Sequence, residues 1–172
     1  KTRYTIGDFD KKYLNIDRLN PKSIYTTNID NLIHEIYKKI PDKYINDVTY
    51  NGLSYNDASA IDFSALHGNV LYEDRKMVFD TASISNAYST NPKIWNQLSI
   101  DFERRITLFW GYGLNDTGVI QALTSANTNP LNHKDKWIIV RSIDSDIIHY
   151  YEALGFHIIV ADTEEFLEYV SS

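Results

Sequence analysis

Three short polar segments of this 172-residue sequence hold residue types able to do chemistry. In Thr26-Thr27-Asn28-Ile29-Asp30, Asn28 can offer an amide to a ribose hydroxyl or a carboxamide. Asp30 can accept from a hydroxyl or from the backbone groups that open a helix. Helix capping and an Asx turn are the plain alternative for both. Leu66-His67-Gly68 supplies a histidine, a residue type whose reference pKa of ~6.5 lets it take a proton from a ribose hydroxyl or a water. Gly68 lets a ligand or a backbone approach closely. The alternative for His67 is a strand-end residue bonded to backbone. Gly111-Tyr112-Gly113-Leu114-Asn115-Asp116 follows an apolar run and opens a helix, where backbone amides and the positive helix end can hold a phosphate or ribose. Such turns also serve ordinary strand-to-helix packing, and the full Gly-X-Gly-X-X-Gly fingerprint is absent.

Other chemistries find no support. His34, His133, His149 and His157 have no companion motif and no paired ligand spacing. No paired-carboxylate arrangement, Ser-His-Asp order or Gly-rich loop with Lys-Ser/Thr emerges. The chain has no cysteine, which excludes disulfides and thiolate zinc sites and suits a reducing cytoplasm. No metal is expected.

The elements that position these segments follow from apolar spacing and punctuation. Ser23–Thr27 is a β-type run, and Asn28 or Asp30 can cap the helix marked by Leu32, Ile33, Ile36, Tyr37 and Ile40. Pro41 ends that pattern. Asp47–Tyr50 and Phe63–Leu66 read as strands around the Gly/Ser/Asn-rich turn Asn51–Ser59. Met77–Phe79 reads as a short strand, and Ala82–Tyr88 and Ile94–Arg105 as helices, with Pro92 at the start of the second. Ile106–Trp110, Trp137–Val140 and Phe156–Val160 read as buried strands. They alternate with helices over Asp116–Ser125, Asp144–Leu154 (stopped by Gly155) and Glu164–Val170. This alternation predicts a doubly wound, Rossmann-like α/β fold. Ser23–Thr27 and the three later strands are expected as neighbours in one mainly parallel sheet. Ligands in such sheets bind beyond the carboxyl ends of the strands, where the three polar segments lie.

Length, a 43% apolar fraction and a 23% charged fraction fit one globular domain spanning residues 1–172. A net charge of −6 argues against a nucleic-acid surface, which needs a basic face. No apolar run reaches the ~18 residues that cross a bilayer, so no membrane partner is expected. The thirteen tyrosines are scattered and read as half-buried packing. The start, Lys1-Thr2-Arg3-Tyr4, has neither a methionine nor a signal-type apolar stretch and reads as a cut through a longer protein.

As an ordered set, these segments resemble the sirtuin superfamily. Sirtuins carry a Thr-Gln-Asn-Ile-Asp segment, a His-Gly pair, a buried strand ending in a Gly-rich turn, and later strands that contact adenosine. The matching positions are Thr26–Asp30, His67-Gly68, Leu108–Gly113, Ile138–Ser142 and Ile158–Asp162. The Thr-Thr-Asn form and the Gly-Tyr-Gly-Leu-Asn-Asp turn look more like bacterial sirtuin-like domains of anti-phage proteins than like deacetylases. Two departures bear on function. The four-cysteine zinc module that follows the His-Gly in deacylases is replaced by Asn69–Pro92. The Gly-Ala-Gly-X-Ser phosphate loop is missing, and its expected place is upstream of Lys1.

The resemblance implies NAD as substrate and cleavage of its nicotinamide–ribose bond, through a transition state with oxocarbenium character. Asn28 would orient the ribose or the attacking water, and His67 would act as general base or proton relay. Thr26, Thr27, Asp30 and Gly68 would flank the nicotinamide end. Gly111, Tyr112, Gly113 and Asp116 would contact the adenosine side, and Ser142 and Asp162 would meet the adenine. The zinc-less branch is associated with NAD hydrolysis, plausible for a cytoplasmic defence effector that forms a homo-oligomer or sits in a larger multidomain protein. A protein deacylase and a non-catalytic NAD- or nucleotide-binding module are the alternatives.

Overall fold

Ser23–Thr26, the β-type run ahead of the Thr-Thr-Asn turn, forms strand β1 in the computed structural model, which describes residues 4–72, 92–114, 117–126, 134–142 and 145–172. The chain divides into two compact units, residues 1–94 with Leu167–Ser172, and Trp95–Phe166.

In the first unit, β1 leads into helix α1 (Leu32–Tyr37), which buries Ile36 and Tyr37. The apolar spacing runs on to Ile40, but the chain beyond Tyr37 tightens into turns ahead of Pro41, which disfavours helical backbone in the residue before it. Strand β2 (Tyr44–Asp47) and strand β3 (Ala60–Ala65) complete a parallel sheet of order β1-β3-β2. The central strand β3 is buried at every position, as expected where both faces are covered. Its registers pair Ser23 with Asp62 and Tyr44 with Ala60, which draws Ala60–Asp62 into a strand whose start the sequence set at Phe63. Asp62 sits in this apolar surrounding because its carboxylate accepts from the Asn46 side-chain amide at 2.8 Å and from the Ser54 hydroxyl.

The expected strand over Asp47–Tyr50 is corrected. Only Asp47 is strand; Val48–Asn51 forms a helical turn, α2. The Asp47 carboxylate accepts from the Tyr50 N–H at 3.0 Å, and Gly52 closes the turn with φ of +70°. Capping at both ends outweighs the β preference of Val48-Thr49-Tyr50. A 3-10 helix over Lys11–Leu19, with its first turn capped by Asp10, had no counterpart in the sequence reading.

Helix α3 (Pro92–Arg104) leads into the second unit's sheet, with Pro92 at its first position as expected. Strands β4 (Thr107–Trp110), β5 (Lys136–Val140) and β6 (Phe156–Val160) are parallel neighbours in that order. They are joined through α4 (Thr117–Ala126) and α5 (Ser145–Ala153), and α6 (Thr163–Ser171) follows β6. Phe109 on β4 meets Phe156 on β6 edge-on at 5.0 Å, and Phe102, Leu123, Ile138 and Phe156 are buried in this unit. The architecture is Rossmann-like α/β with parallel sheets. One detail differs from expectation. Among the described residues β1 pairs with β3 alone, and β4–β6 form their own three-stranded sheet. Apolar runs mark strands but do not encode which backbone each one pairs with, and the expected full burial is corrected: Ile106 and Val160 are exposed, and Phe156 is the one buried residue of β6. The expected strand Met77–Phe79 and helix Ala82–Tyr88 lie outside the described residues.

Candidate functional site

At the carboxyl end of β1 the chain turns on its own side chains. The Thr26 hydroxyl accepts from the Asn28 N–H at 3.0 Å. The Asp30 carboxylate accepts from the Leu32 N–H at 2.9 Å, an Asx turn that opens α1. Asp30 thus has the structural role that its residue type allowed. Thr27 is half-buried, whereas Asn28 is exposed and its side-chain amide makes no hydrogen bond among the described residues. Asn31 is buried instead of Asn28. Its side chain accepts from the Ile6 N–H at 2.6 Å and donates to Glu35 at 3.0 Å. Lys38 and then Asn31 hold the Glu35 carboxyl below the usual range, so Glu35 stays an acceptor for that amide.

The carboxyl end of β3 lies beside this turn. The Leu66 N–H donates to the Thr26 carbonyl at 2.8 Å, extending the β1–β3 pairing by one residue. The Gly68 N–H donates to the Ala65 carbonyl at 3.3 Å, so His67 occupies the third position of a tight turn. Gly68 has φ of +91°, a backbone conformation that other residues adopt only under strain. Glycine after the histidine therefore has a conformational cause. The Val70 N–H then returns to the Ile29 carbonyl at 2.8 Å. Asn28 and His67 thus sit on two adjoining turns at the same sheet edge. His67 is half-buried at the rim and is not sealed among the core side chains.

Two supporting groups escaped the sequence reading. Asn69 is 1% exposed; its amide donates to the Asp30 carbonyl at 2.8 Å and its oxygen accepts from the Leu71 N–H at 3.0 Å. Asp47 accepts from the Tyr72 hydroxyl and lies 3.5 Å from His34 Nε2, while the Tyr50 and Tyr72 rings stack at 5.1 Å. Nothing in the spacing of Asn69, Asp47 or Tyr72 marks them, because a buried polar residue is recognised by its partners.

Gly111, Tyr112, Gly113, Ser142 and Asp162 belong to the second unit and follow the carboxyl ends of its strands. Gly111, after β4, has φ of +63° and open space where a Cβ would lie. Its glycine answers a conformational need without any crowding. The Tyr112 ring packs toward Phe109, 6.3 Å away, and Gly113 is exposed. Ser142 is exposed just beyond β5. Asp162, beyond β6, forms a reciprocal capping box: its carboxylate accepts from the Glu165 N–H at 2.9 Å, and Glu165 accepts from the Asp162 N–H at 2.9 Å. Asp116 lies outside the described residues.

Among the described residues no three His, Asp or Glu side chains group as a metal site, and no helix is long and apolar enough to cross a membrane. No curated protein sequence shows significant similarity to the chain. The family model of the SIR2-like domain matches residues 22–159, from the start of β1 almost to the end of β6. That span takes in the Thr-Thr-Asn turn, the His-Gly turn, strands β1 to β5 and most of β6, and the chain belongs to the SIR2-like domain family.

Proposed function

We propose that this domain binds NAD and hydrolyses its nicotinamide–ribose bond, giving ADP-ribose, nicotinamide and a proton. SIR2-like domains use NAD. The observation that carries the reading is the pairing of the Asn28 and His67 turns at one edge of a parallel sheet, joined by the Val70–Ile29 and Leu66–Thr26 hydrogen bonds. The residues there fit such a substrate. An exposed amide without a partner among the described residues, threonine hydroxyls and a half-buried imidazole match ribose hydroxyls and a carboxamide. Asn28 orients the ribose or the water, and His67 accepts a proton from one of them. Nicotinamide leaves as a neutral group from a cationic pyridinium, so the protein's task is mainly positioning and electrostatic stabilisation. Gly111, Tyr112, Gly113, Asp116, Ser142 and Asp162 are assigned to the adenosine side.

Hydrolysis is preferred over deacylation because the residues following His67-Gly68 contain no cysteine for a zinc module. In this reading the domain is the NAD-consuming effector of a larger defence protein. The test is to incubate the full-length protein with NAD, with and without an acetyl-lysine peptide. Release of nicotinamide and ADP-ribose without peptide supports hydrolysis. Release only with peptide, together with loss of the acetyl group, favours a deacylase. Binding without turnover under both conditions favours a regulatory module.

A further inference from the structure

The two turns that carry Asn28 and His67 come from different strands, and catalysis on one ribose requires a fixed spacing between them. Backbone hydrogen bonds fasten them at Leu66–Thr26 and at Val70–Ile29. Between Val70 and His67 the only side chain buried at the 1% level is that of Asn69. Its two functional atoms face two ways. The amide donates across to the Asp30 carbonyl, two residues from Asn28, and the oxygen accepts from Leu71 within its own turn. The donor therefore ties the chain leaving the His67 turn to the segment that carries Asn28, and the acceptor shapes the turn Asn69–Leu71 that directly follows the His67 turn. Buried amides bonded at both ends hold geometry tightly, since a broken bond leaves an unsatisfied polar group away from water.

From this geometry we infer that Asn69 is a positioning residue, which sets the spacing of Asn28 and His67 by bridging their turns. The inference rests on the proposed NAD cleavage for its catalytic consequence, and the bridge itself can be read without turnover. Asn69→Asp has nearly the same shape and keeps the acceptor for Leu71, but it sets a carboxylate oxygen against the Asp30 carbonyl. The side-chain bond to Asp30 is lost and the bond to Leu71 is kept. Asn69→Ala loses both.

The test combines hydrogen exchange with kinetics on the full-length protein. In Asn69→Asp, the Val70 amide and the Leu32 amide that opens α1 should both lose protection, while Phe63 in β3 keeps its protection. With NAD, kcat should fall about 10–100-fold, the scale of an ångström-sized misplacement, with KM changed less than about threefold. In a His67→Ala background the same substitution should cost less than about twofold, since its effect acts through the histidine. Unchanged protection at Val70 and Leu32 in Asn69→Asp would overturn the bridge. So would equal losses throughout β1 and β3 in both variants, which would make Asn69 a general determinant of folding. If the wild-type protein leaves NAD intact, the hydrolase reading fails by itself, and the exchange pattern still decides the bridge.

Discussion

The Val70 N–H donates to the Ile29 carbonyl at 2.8 Å, so the chain leaving the His67 turn comes straight back to the turn that carries Asn28. One backbone bond thus joins the ends of two strands that are separated in sequence by α1, β2 and α2. Exposed Asn28 and half-buried His67 share that edge.

Removal of the imidazole should separate rate from binding. His67→Ala is expected to lower NAD cleavage about 10²–10⁴-fold, the usual contribution of a positioned proton acceptor. NAD affinity should change by only a few-fold. Asn28→Ala should lower both if its amide also holds the ribose or carboxamide. Steady-state kinetics beside equilibrium NAD binding check the pair; an undiminished rate in His67→Ala rules out the proton-transfer role.

Gly68→Ala should disturb the same turn through the backbone. With φ of +91°, alanine there costs roughly 1–2 kcal/mol in folding stability or forces the turn to rearrange. Denaturant unfolding should report the first outcome and a fall in turnover the second. A variant with wild-type stability and rate would show that the left-handed backbone has no part in holding His67.

Asp162 has a structural role and a proposed adenine-side role, and one substitution distinguishes them. Asp162→Ala breaks the capping box with Glu165 and should cost about 1 kcal/mol. If the residue also meets the adenine, NAD affinity falls as well. Isothermal titration beside thermal unfolding reads both effects, and lost stability with full affinity leaves Asp162 a cap alone.

Asp57 should give the protein a pH-dependent contribution at the acid end. The Ser59 N–H at 2.8 Å, the Tyr44 hydroxyl at 2.8 Å and nearby Lys22 hold its carboxyl below the usual value. The same bond to Asp57 pushes the Tyr44 phenol up. A carboxyl with a lowered folded pKa binds fewer protons folded than unfolded, so its stabilisation is complete above about pH 4. That stabilisation is lost as pH falls through the folded value. The stability gap between wild type and Asp57→Asn should therefore narrow from pH 7 to pH 3 in urea unfolding. Equal gaps at the two pH values would contradict the linkage.

The sequence by itself determined the strands of the second half of this fold and the residue types at its candidate site. Apolar runs marked β4, β5 and β6 to within a residue, although burial in them is partial: Phe109, Ile138, Ile139 and Phe156 are buried, and His157 and Val160 are exposed. Pro92 and Gly155 marked helix boundaries through fixed backbone preferences. Thr26–Asp30 and His67-Gly68 were legible because turn chemistry needs particular side chains at particular steps. Tertiary structure alone decided that β1 pairs with β3, which places the Asn28 and His67 turns side by side. It also turned Val48–Asn51 from strand to helix through caps on both sides. Asp62, Asn69 and Asp47 carried no mark of a polar role in the sequence, and their partners Asn46, Asp30 and Tyr72 supply it. Strand pairing and buried polar contacts join residues far apart in the chain, and a one-dimensional pattern records periodicity but not which distant group supplies the other half of a hydrogen bond.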